Sequence, residues 1–194
     1  MGRGVRQMQL EQLIKDRRSI TNYDTSKRIS YEEIQKLLDI AVWVPNHKMT
    51  QPWRFILIDG DTKQRLGDIN AKQGAKGAAT AEEKEKKAEA LRRKITDVPL
   101  WIAVVLEENT QMKFREEDYA SASMLIQNFS LLAWEKGIGT IWKTNALLEN
   151  ADARELLQIR PGERNIGLLQ VGFIGKEPKA KPRVPASERT TVLN

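Results

Sequence analysis

The chain has 194 residues, 40% of them hydrophobic and 30% charged, a composition typical of one globular domain with a proper core rather than of a disordered chain. It contains no cysteine, which excludes disulfides and thiol chemistry, and it shows neither a signal peptide nor an apolar run of the roughly 20 residues that span a bilayer, so we expect a cytoplasmic protein without membrane contacts. The net charge of +6 favours an anionic partner, which could be a nucleic acid, a membrane surface or a phosphorylated small molecule.

Two helices and a strand are predicted in the first third of the chain. Ser30 and Glu33, three residues apart, form a capping box at the start of the clearest helix, and Pro45 ends that helix. A continuously apolar run over residues 55–58, closed by Asp-Gly-Asp at residues 59–61, predicts a buried strand and a turn. The apolar residues at helical spacing are Leu10, Leu13 and Ile14 in a first short helix, and Ile34, Leu37, Leu38, Ala41 and Val42 in the second.

The rest of the chain alternates helices with strands. Residues 71–93 are mostly Ala, Lys, Glu and Gly and predict an exposed, mobile helical excursion, while residues 119–136 predict a long helix with a wide apolar face. Residues 176–194 carry three prolines among lysines and arginines and predict an extended arm. The other elements are strands at 98–106, 140–142 and 166–174 and a short helix at 150–157. This order predicts a single α/β or α+β domain with a four- or five-stranded sheet.

Polar and cationic side chains stand at the loops, without an obvious nucleophile or metal site. Arg17, Arg18 and Ser19, hereafter the arginine segment, combine two guanidinium groups with a hydroxyl and suit a phosphate, although alone they are a weak signal. The Gly-Ile-Gly at residues 137–139 lacks the third glycine of a dinucleotide fingerprint. His47 is the only histidine, which rules out two-histidine metal patterns. We therefore expect no catalytic side chain and no metal, and a cofactor that performs the chemistry.

Four motifs in order resemble the flavin-dependent nitroreductase family over residues 10–183. They are the arginine segment, the loop that leads to Gln-Pro-Trp-Arg-Phe at residues 51–55, the Gly-Ile-Gly-Thr before residues 142–144, and the late Gly-Phe-Ile-Gly-Lys at residues 172–176. The resemblance implies an α+β, nitroreductase-like fold, with a central four- to five-stranded sheet flanked by helices, in an intertwined homodimer with FMN at the subunit interface. It also implies a ping-pong reaction in which NAD(P)H reduces FMN and a nitroaromatic, quinone or similar small molecule reoxidises it.

The resemblance also assigns roles to residues. The arginine segment would hold the phosphate and ribityl chain, residues 142–144 would lie along the flavin ring, the loop around His47 would arrive from the other subunit, and residues 118–133 would supply much of the dimer interface. The end of the long helix would meet NAD(P)H. The implied FMN-binding residues are Arg17, Arg18, Ser19, Asn46, His47, Gln51, Trp142, Lys143, Thr144, Lys176 and Arg183, and the implied NAD(P)H-binding residues are Leu132, Ala133, Trp134, Glu135, Lys136 and Gly137.

One position departs from the family pattern. Larger members place an asparagine that contacts the flavin four residues after the first proline of the loop, where this chain has Met49. The polar contact is then either lost or supplied by Asn46 or His47. Two other functions stay open from the sequence: a flavin-binding protein without significant turnover, and a basic nucleic-acid-binding protein. Against the latter, the charge is mixed, with 32 basic and 26 acidic residues. The excursion at residues 71–93 could serve as a lid.

Overall fold

A four-stranded antiparallel sheet forms the centre of the computed structural model, which describes residues 10–75 and 79–193. The strands are β1 (Trp53–Ile58), β2 (Leu100–Glu107), β3 (Ile138–Lys143) and β4 (Glu163–Phe173), in the spatial order β1-β2-β4-β3. All three pairings are antiparallel, and a bulge between Val104 and Val105 interrupts the register of β2 against β4. The predicted α+β class and the lower of the two predicted strand numbers are confirmed.

Two helical layers cover the two faces of the sheet. Side chains of β2 alternate between them, with Ile102 and Val104 on one face and Trp101 and Ala103 on the other. The first face packs against α2 (Tyr31–Ala41) and α5 (Met112–Glu135). The second packs against α3 (Gly60–Gly74), α4 (Ala81–Thr96) and α6 (Ala151–Leu156), while α1 (Leu10–Asp16) contributes to a small third cluster. Within the described ranges, we find no helix that is both long and apolar enough to span a bilayer.

Two of the helix starts follow the sequence signals. Ser30 Oγ accepts a hydrogen bond from the Glu33 backbone N–H at 3.1 Å, as the capping box predicts. Asn150 Oδ1 accepts from the Ala153 N–H at 2.9 Å at the start of α6. Each bond satisfies a donor that the first turn of a helix leaves without an intrahelical partner.

The region between β1 and β2 differs from the sequence prediction. Residues 59–61 do not form only a turn, because α3 begins at Gly60, whose φ is +53°, and continues to Gly74. The predicted excursion at residues 71–93 is the end of α3 followed by most of α4, and the two helices pack as a hairpin in which Asn70 Nδ2 donates to the Leu91 carbonyl at 2.7 Å. Most of α4 is exposed, as expected. Residues 76–78 of this excursion lie outside the described residues.

The chain ends in an exposed arm. Residues 176–193 are exposed throughout and extended apart from one helical turn at Ala186–Arg189. Residues 1–9 and Asn194, which belong to the predicted single domain of residues 1–194, lie outside the described residues.

Candidate functional site

The arginine segment lies against the outer edge of β3. Ser19 forms a parallel bridge with Thr140, and the Ile20 N–H donates to the Thr140 carbonyl at 3.0 Å. This approach needs a glycine at residue 139, since a Cβ there would lie 2.6 Å from Ile20 Cβ. The Gly-Ile-Gly sequence that fails as a dinucleotide fingerprint therefore serves as the seat of the arginine segment.

The guanidinium groups of Arg17, Arg18 and Arg183 are close enough at this edge for their positive charges to repel one another. Arg17 is half-buried, and its pKa is lowered, first by burial and then by the positive charges of Arg18 and Arg183. Its Nε is buried and has no hydrogen-bond partner among the described residues. Among the described residues, no Asp or Glu forms a salt bridge with any of these three arginines. A bound anion would satisfy Nε and relieve the repulsion, so the chemistry of this donor set fits a phosphate.

The end of β3 sends neighbouring side chains to opposite faces of the sheet. Trp142 lies over Gly167, where a Cβ would come within 1.9 Å of the indole nitrogen, and Trp142 Nε1 donates to the Ile166 carbonyl at 3.0 Å. Its indole is thus committed to packing. Lys143 lies on the other side of the sheet and lines a cleft of about 830 Å³. Of this pair, only Lys143 has its side chain in a cleft that could receive a ligand.

The cleft beside Lys143 also contains two cationic residues, one of which, Arg93, lies in the segment that was predicted to be exposed. Arg93 and Lys94, from the last turn of α4, line this cleft together with Thr21, which lies two residues after the arginine segment. The signal in the sequence was the basic run at residues 92–94, but only the packing of α4 shows which cations face the cleft. Its lining is formed by Thr21, Asn22, Tyr23, Thr25, Asn70, Ala90, Leu91, Arg93, Lys94, Ile95, Asp97, Val98, Trp101, Lys143, Asn145 and Gln170.

Lys176 lies near the arginine segment. The Lys176 N–H lies 3.4 Å from the carbonyl of Asn22, which places the start of the arm beside the chain that follows the arginine segment.

The residues predicted to bind NAD(P)H are divided between surface and core. Ala133 is buried in the core, and Trp134 packs with Leu13 and Ile20. The residues of that stretch that reach the surface at least in part are Leu132, Glu135, Lys136 and Gly137.

The proline loop, residues 45–52, lies away from the arginine segment. It leads into β1, whereas the arginine segment borders β3, and the two strands are opposite edges of the sheet, separated by three strand spacings or roughly 14 Å. Within the described part of the chain, no hydrogen bond joins Asn46, His47 or Gln51 to residues 17–19 or 142–144. One chain therefore brings together the cationic residues of the predicted site, and Thr144 follows Lys143 directly. The proline loop of the same chain lies at the opposite edge of the sheet.

Comparison with known proteins identifies the family. The model of the nitroreductase family matches residues 14–173. The Bacillus subtilis (strain 168) protein named "Putative NAD(P)H nitroreductase YfhC" is 33% identical over 185 residues, which cover 95% of this chain and 94% of that protein. The nitroreductase-like family protein from Bacillus cereus superposes with a TM-score of 0.84 at 33% identity, covering 96% of both chains.

A more distant solved structure shares the fold alone. The FMN and NADPH-dependent nitroreductase NfnB from sphigopyxis sp. strain HMH superposes with a TM-score of 0.77 at 15% identity, over 96% of this chain and 100% of that one. The predicted nitroreductase-like fold is confirmed. With a family match over most of its length and a close relative that it covers almost completely, the chain belongs to the nitroreductase family and is by that membership an oxidoreductase.

Proposed function

We propose that the protein is an FMN-dependent oxidoreductase, which uses NAD(P)H to reduce nitroaromatics, quinones or similar small acceptors. The observation that carries the proposal is the cluster of Arg17, Arg18 and Arg183, in which Arg17 and Arg18 are partly buried and none of the three forms a salt bridge within the described part of the chain. Folding such a cluster is unfavourable unless an anion joins it, and the terminal phosphate of FMN carries nearly two negative charges. The NAD(P)H nitroreductase name of the Bacillus subtilis relative supports the same reading.

The cleft next to β3 offers the ring of FMN a place close to its phosphate. Lys143 and Thr21 both line this cleft, and Thr21 is three residues from Arg18 in the sequence. Cations at the cleft wall, from Lys143, Arg93 and Lys94, would stabilise negative charge on a reduced ring. When bound, FMN would supply the redox chemistry of the proposed ping-pong reaction between NAD(P)H and the acceptor. The role of these side chains is to bind, orient and tune it.

The proline loop completes the site only if a second chain supplies it. It belongs to the edge of the sheet opposite the arginine segment, so a homodimer is needed for Asn46, His47 and Gln51 to reach the FMN of the partner. Exposed apolar residues on α5, at the end of α2 and just after it support such an interface. They are Ile40 and Trp43, the latter 85% exposed, together with Met112, Tyr119 and Met124. We place this homodimer in the cytoplasm.

An absorption spectrum of the purified protein tests the proposal. We expect a yellow protein with a flavin band in the blue, and anaerobic bleaching of that band by NADH or NADPH, followed by recovery when a quinone or nitroaromatic is added. Bleaching separates an enzyme from a flavin carrier. A colourless protein that stays colourless after incubation with FMN would refute the proposal.

Subunit complementation tests whether two chains share one site. Arg17→Met removes the phosphate side and His47→Ala the loop side, so each variant alone should lose most activity. After the two variants are mixed and the chains exchange, each heterodimer should carry one intact and one doubly altered site, which restores about a quarter of the wild-type sites. No recovery despite proven exchange of chains would show that both residues serve the same chain.

A further inference from the structure

The proline loop has a backbone that its own residues disfavour. Lys48, Met49 and Gln51 have φ values of 57°, 51° and 43°, in the left-handed region that residues with a Cβ avoid. Three such residues within four positions, none of them glycine, do not adopt this form by local preference. Contacts from outside the loop must therefore select it.

Those contacts come from α5, through two adjacent carboxylates. Thr50 Oγ1 donates to Asp118 Oδ1 at 2.5 Å, and His47 Nδ1 lies 2.5 Å from Glu117 Oε2. The Asp118 side chain is buried, with only 5% of the residue exposed, so its hydrogen bond to Thr50 is shielded from competing water. The His47 ring also meets the Phe114 ring edge-on, at a centroid distance of 5.7 Å.

Asn46 ties the two ends of the loop together on the same helix. Its Oδ1 accepts from the Gln51 N–H at 2.7 Å, and its Nδ2 donates to Thr50 Oγ1 at 3.0 Å and lies 3.4 Å from Ser121 Oγ. Since Ser121 is one helical turn from Glu117 and Asp118, all these contacts lie on one stripe of α5. The loop is thus shaped by α5 and not by β1, into which it runs.

The contact with Glu117 also fixes the orientation of the His47 ring. A carboxylate only accepts hydrogen bonds, so Nδ1 carries the proton and Nε2 is left as the ring atom that can meet a ligand. The His47 side chain is 51% exposed, so Nε2 can be reached from outside the chain.

We propose that Glu117 and Asp118 are positioning residues that hold the proline loop in the form in which His47 and Gln51 meet the FMN of the partner chain. This inference rests on the proposed function, and it assigns to the first half of α5 a task besides packing and dimerisation. Neither carboxylate touches the FMN in this proposal. They act through the loop.

Matched variants at neighbouring carboxylates test the proposal. Glu117→Leu removes the contact with His47, and Thr50→Val removes the contact with Asp118 together with the hydrogen bonds between Thr50 and Asn46. Glu117→Gln keeps an oxygen that accepts from Nδ1. Glu116→Leu is the control, because Glu116 is exposed and forms none of the hydrogen bonds described for this loop. Two quantities are measured: amide hydrogen exchange of residues 46–52 in FMN-free protein, and the Kd for FMN from the quenching of flavin fluorescence.

We expect Glu117→Leu and Thr50→Val to speed exchange in the loop and to raise the Kd for FMN about tenfold, the equivalent of one charge-assisted hydrogen bond. Glu116→Leu and Glu117→Gln should stay within about twofold of wild type on the same scale. Unchanged hydrogen exchange of residues 46–52 in both Glu117→Leu and Thr50→Val would show that α5 does not hold the loop. Faster exchange with an unchanged Kd, or equal losses in Glu117→Gln and Glu117→Leu, would overturn the positioning role. If wild-type protein binds no FMN, the proposed function fails, while the exchange data still decide whether α5 shapes the loop.

Discussion

Replacing Arg17 by methionine should move ligand affinity and stability in opposite directions. The guanidinium of Arg17 stands beside Arg18 and Arg183, and burial together with these charges lowers its pKa, so its charged form is disfavoured in the FMN-free fold. Its Nε also lacks a partner. Methionine keeps most of the apolar stem and removes both unfavourable features. We therefore expect the melting temperature of FMN-free protein to stay level or to rise by about 2 °C.

The same substitution should weaken FMN binding by about 10- to 100-fold, because a charge-assisted hydrogen bond to a phosphate is worth about 1.5–3 kcal/mol. Fluorescence titration gives the Kd, and differential scanning fluorimetry of FMN-free protein gives the melting temperature. Arg92→Met is the control, since Arg92 already pairs with Asp68 and Glu89 at the surface. It should cost a little stability and leave the Kd unchanged. A variant Arg17→Met that melts several degrees lower and binds FMN normally would show that Arg17 is a structural residue and not a ligand-binding one.

Three other substitutions test separate parts of the fold. Glu163, 4% exposed at its side chain, accepts from Arg54 at 2.6 and 2.8 Å, and its pKa is held well below the ordinary value, chiefly by Arg54. The ionised Glu163 stabilises the fold above the unfolded pKa of about 4.3, and this stabilisation is lost as the pH falls towards the folded pKa. In urea titrations, Glu163→Gln should therefore lower the free energy of unfolding by about 2–3 kcal/mol at pH 7. Below about pH 4, the variant should lose less stability with falling pH than the wild type does. Met49→Asn should raise the free energy of unfolding by about 0.5–1 kcal/mol, because asparagine tolerates the φ of 51° better, and a loss would contradict the strain assigned to that residue. Gly139→Ala should force Ile20 away from β3 and lower the free energy of unfolding by about 1–3 kcal/mol. It should also weaken FMN binding, and a normal affinity for FMN would argue that β3 does not position the arginine segment.

The parts of the fold that the sequence predicted are those with a strong local signal. The capping box at Ser30 and the apolar strand of β2 specify their structures within a few residues, and both are found. The start of α3 was missed because Gly60 after an aspartate is typical of a turn, and because few of the following residues are apolar enough to mark a buried face. Tertiary packing against α4, through contacts such as Asn70 with Leu91, stabilises that helix instead.

The candidate site was predictable as a set of residues but not as an arrangement. That Arg183 lies close enough to Arg17 to lower its pKa depends on where the arm folds, and no local pattern encodes a contact across more than 160 residues. Trp142 was predicted to lie along the flavin ring, a role that stays a prediction. Its indole packs over Gly167 and donates to the Ile166 carbonyl, contacts that no local pattern in the sequence encodes.

Each half of the candidate site contains a feature that departs from local rules. At the β3 edge, like charges gather around a buried nitrogen without a partner, and at the β1 edge three residues with side chains take left-handed backbone angles. Each feature is unfavourable in an isolated chain, and neither is relieved by the other, because they lie on opposite edges of one sheet. In the proposed homodimer, a two-fold axis would bring the loop of each chain to the arginines of the other. One phosphorylated ligand would then neutralise the arginine charges of one chain and contact the loop of its partner. Both features therefore support the proposal that two chains share one site, in which α5 of each chain holds its own loop in the form that meets the FMN of the partner.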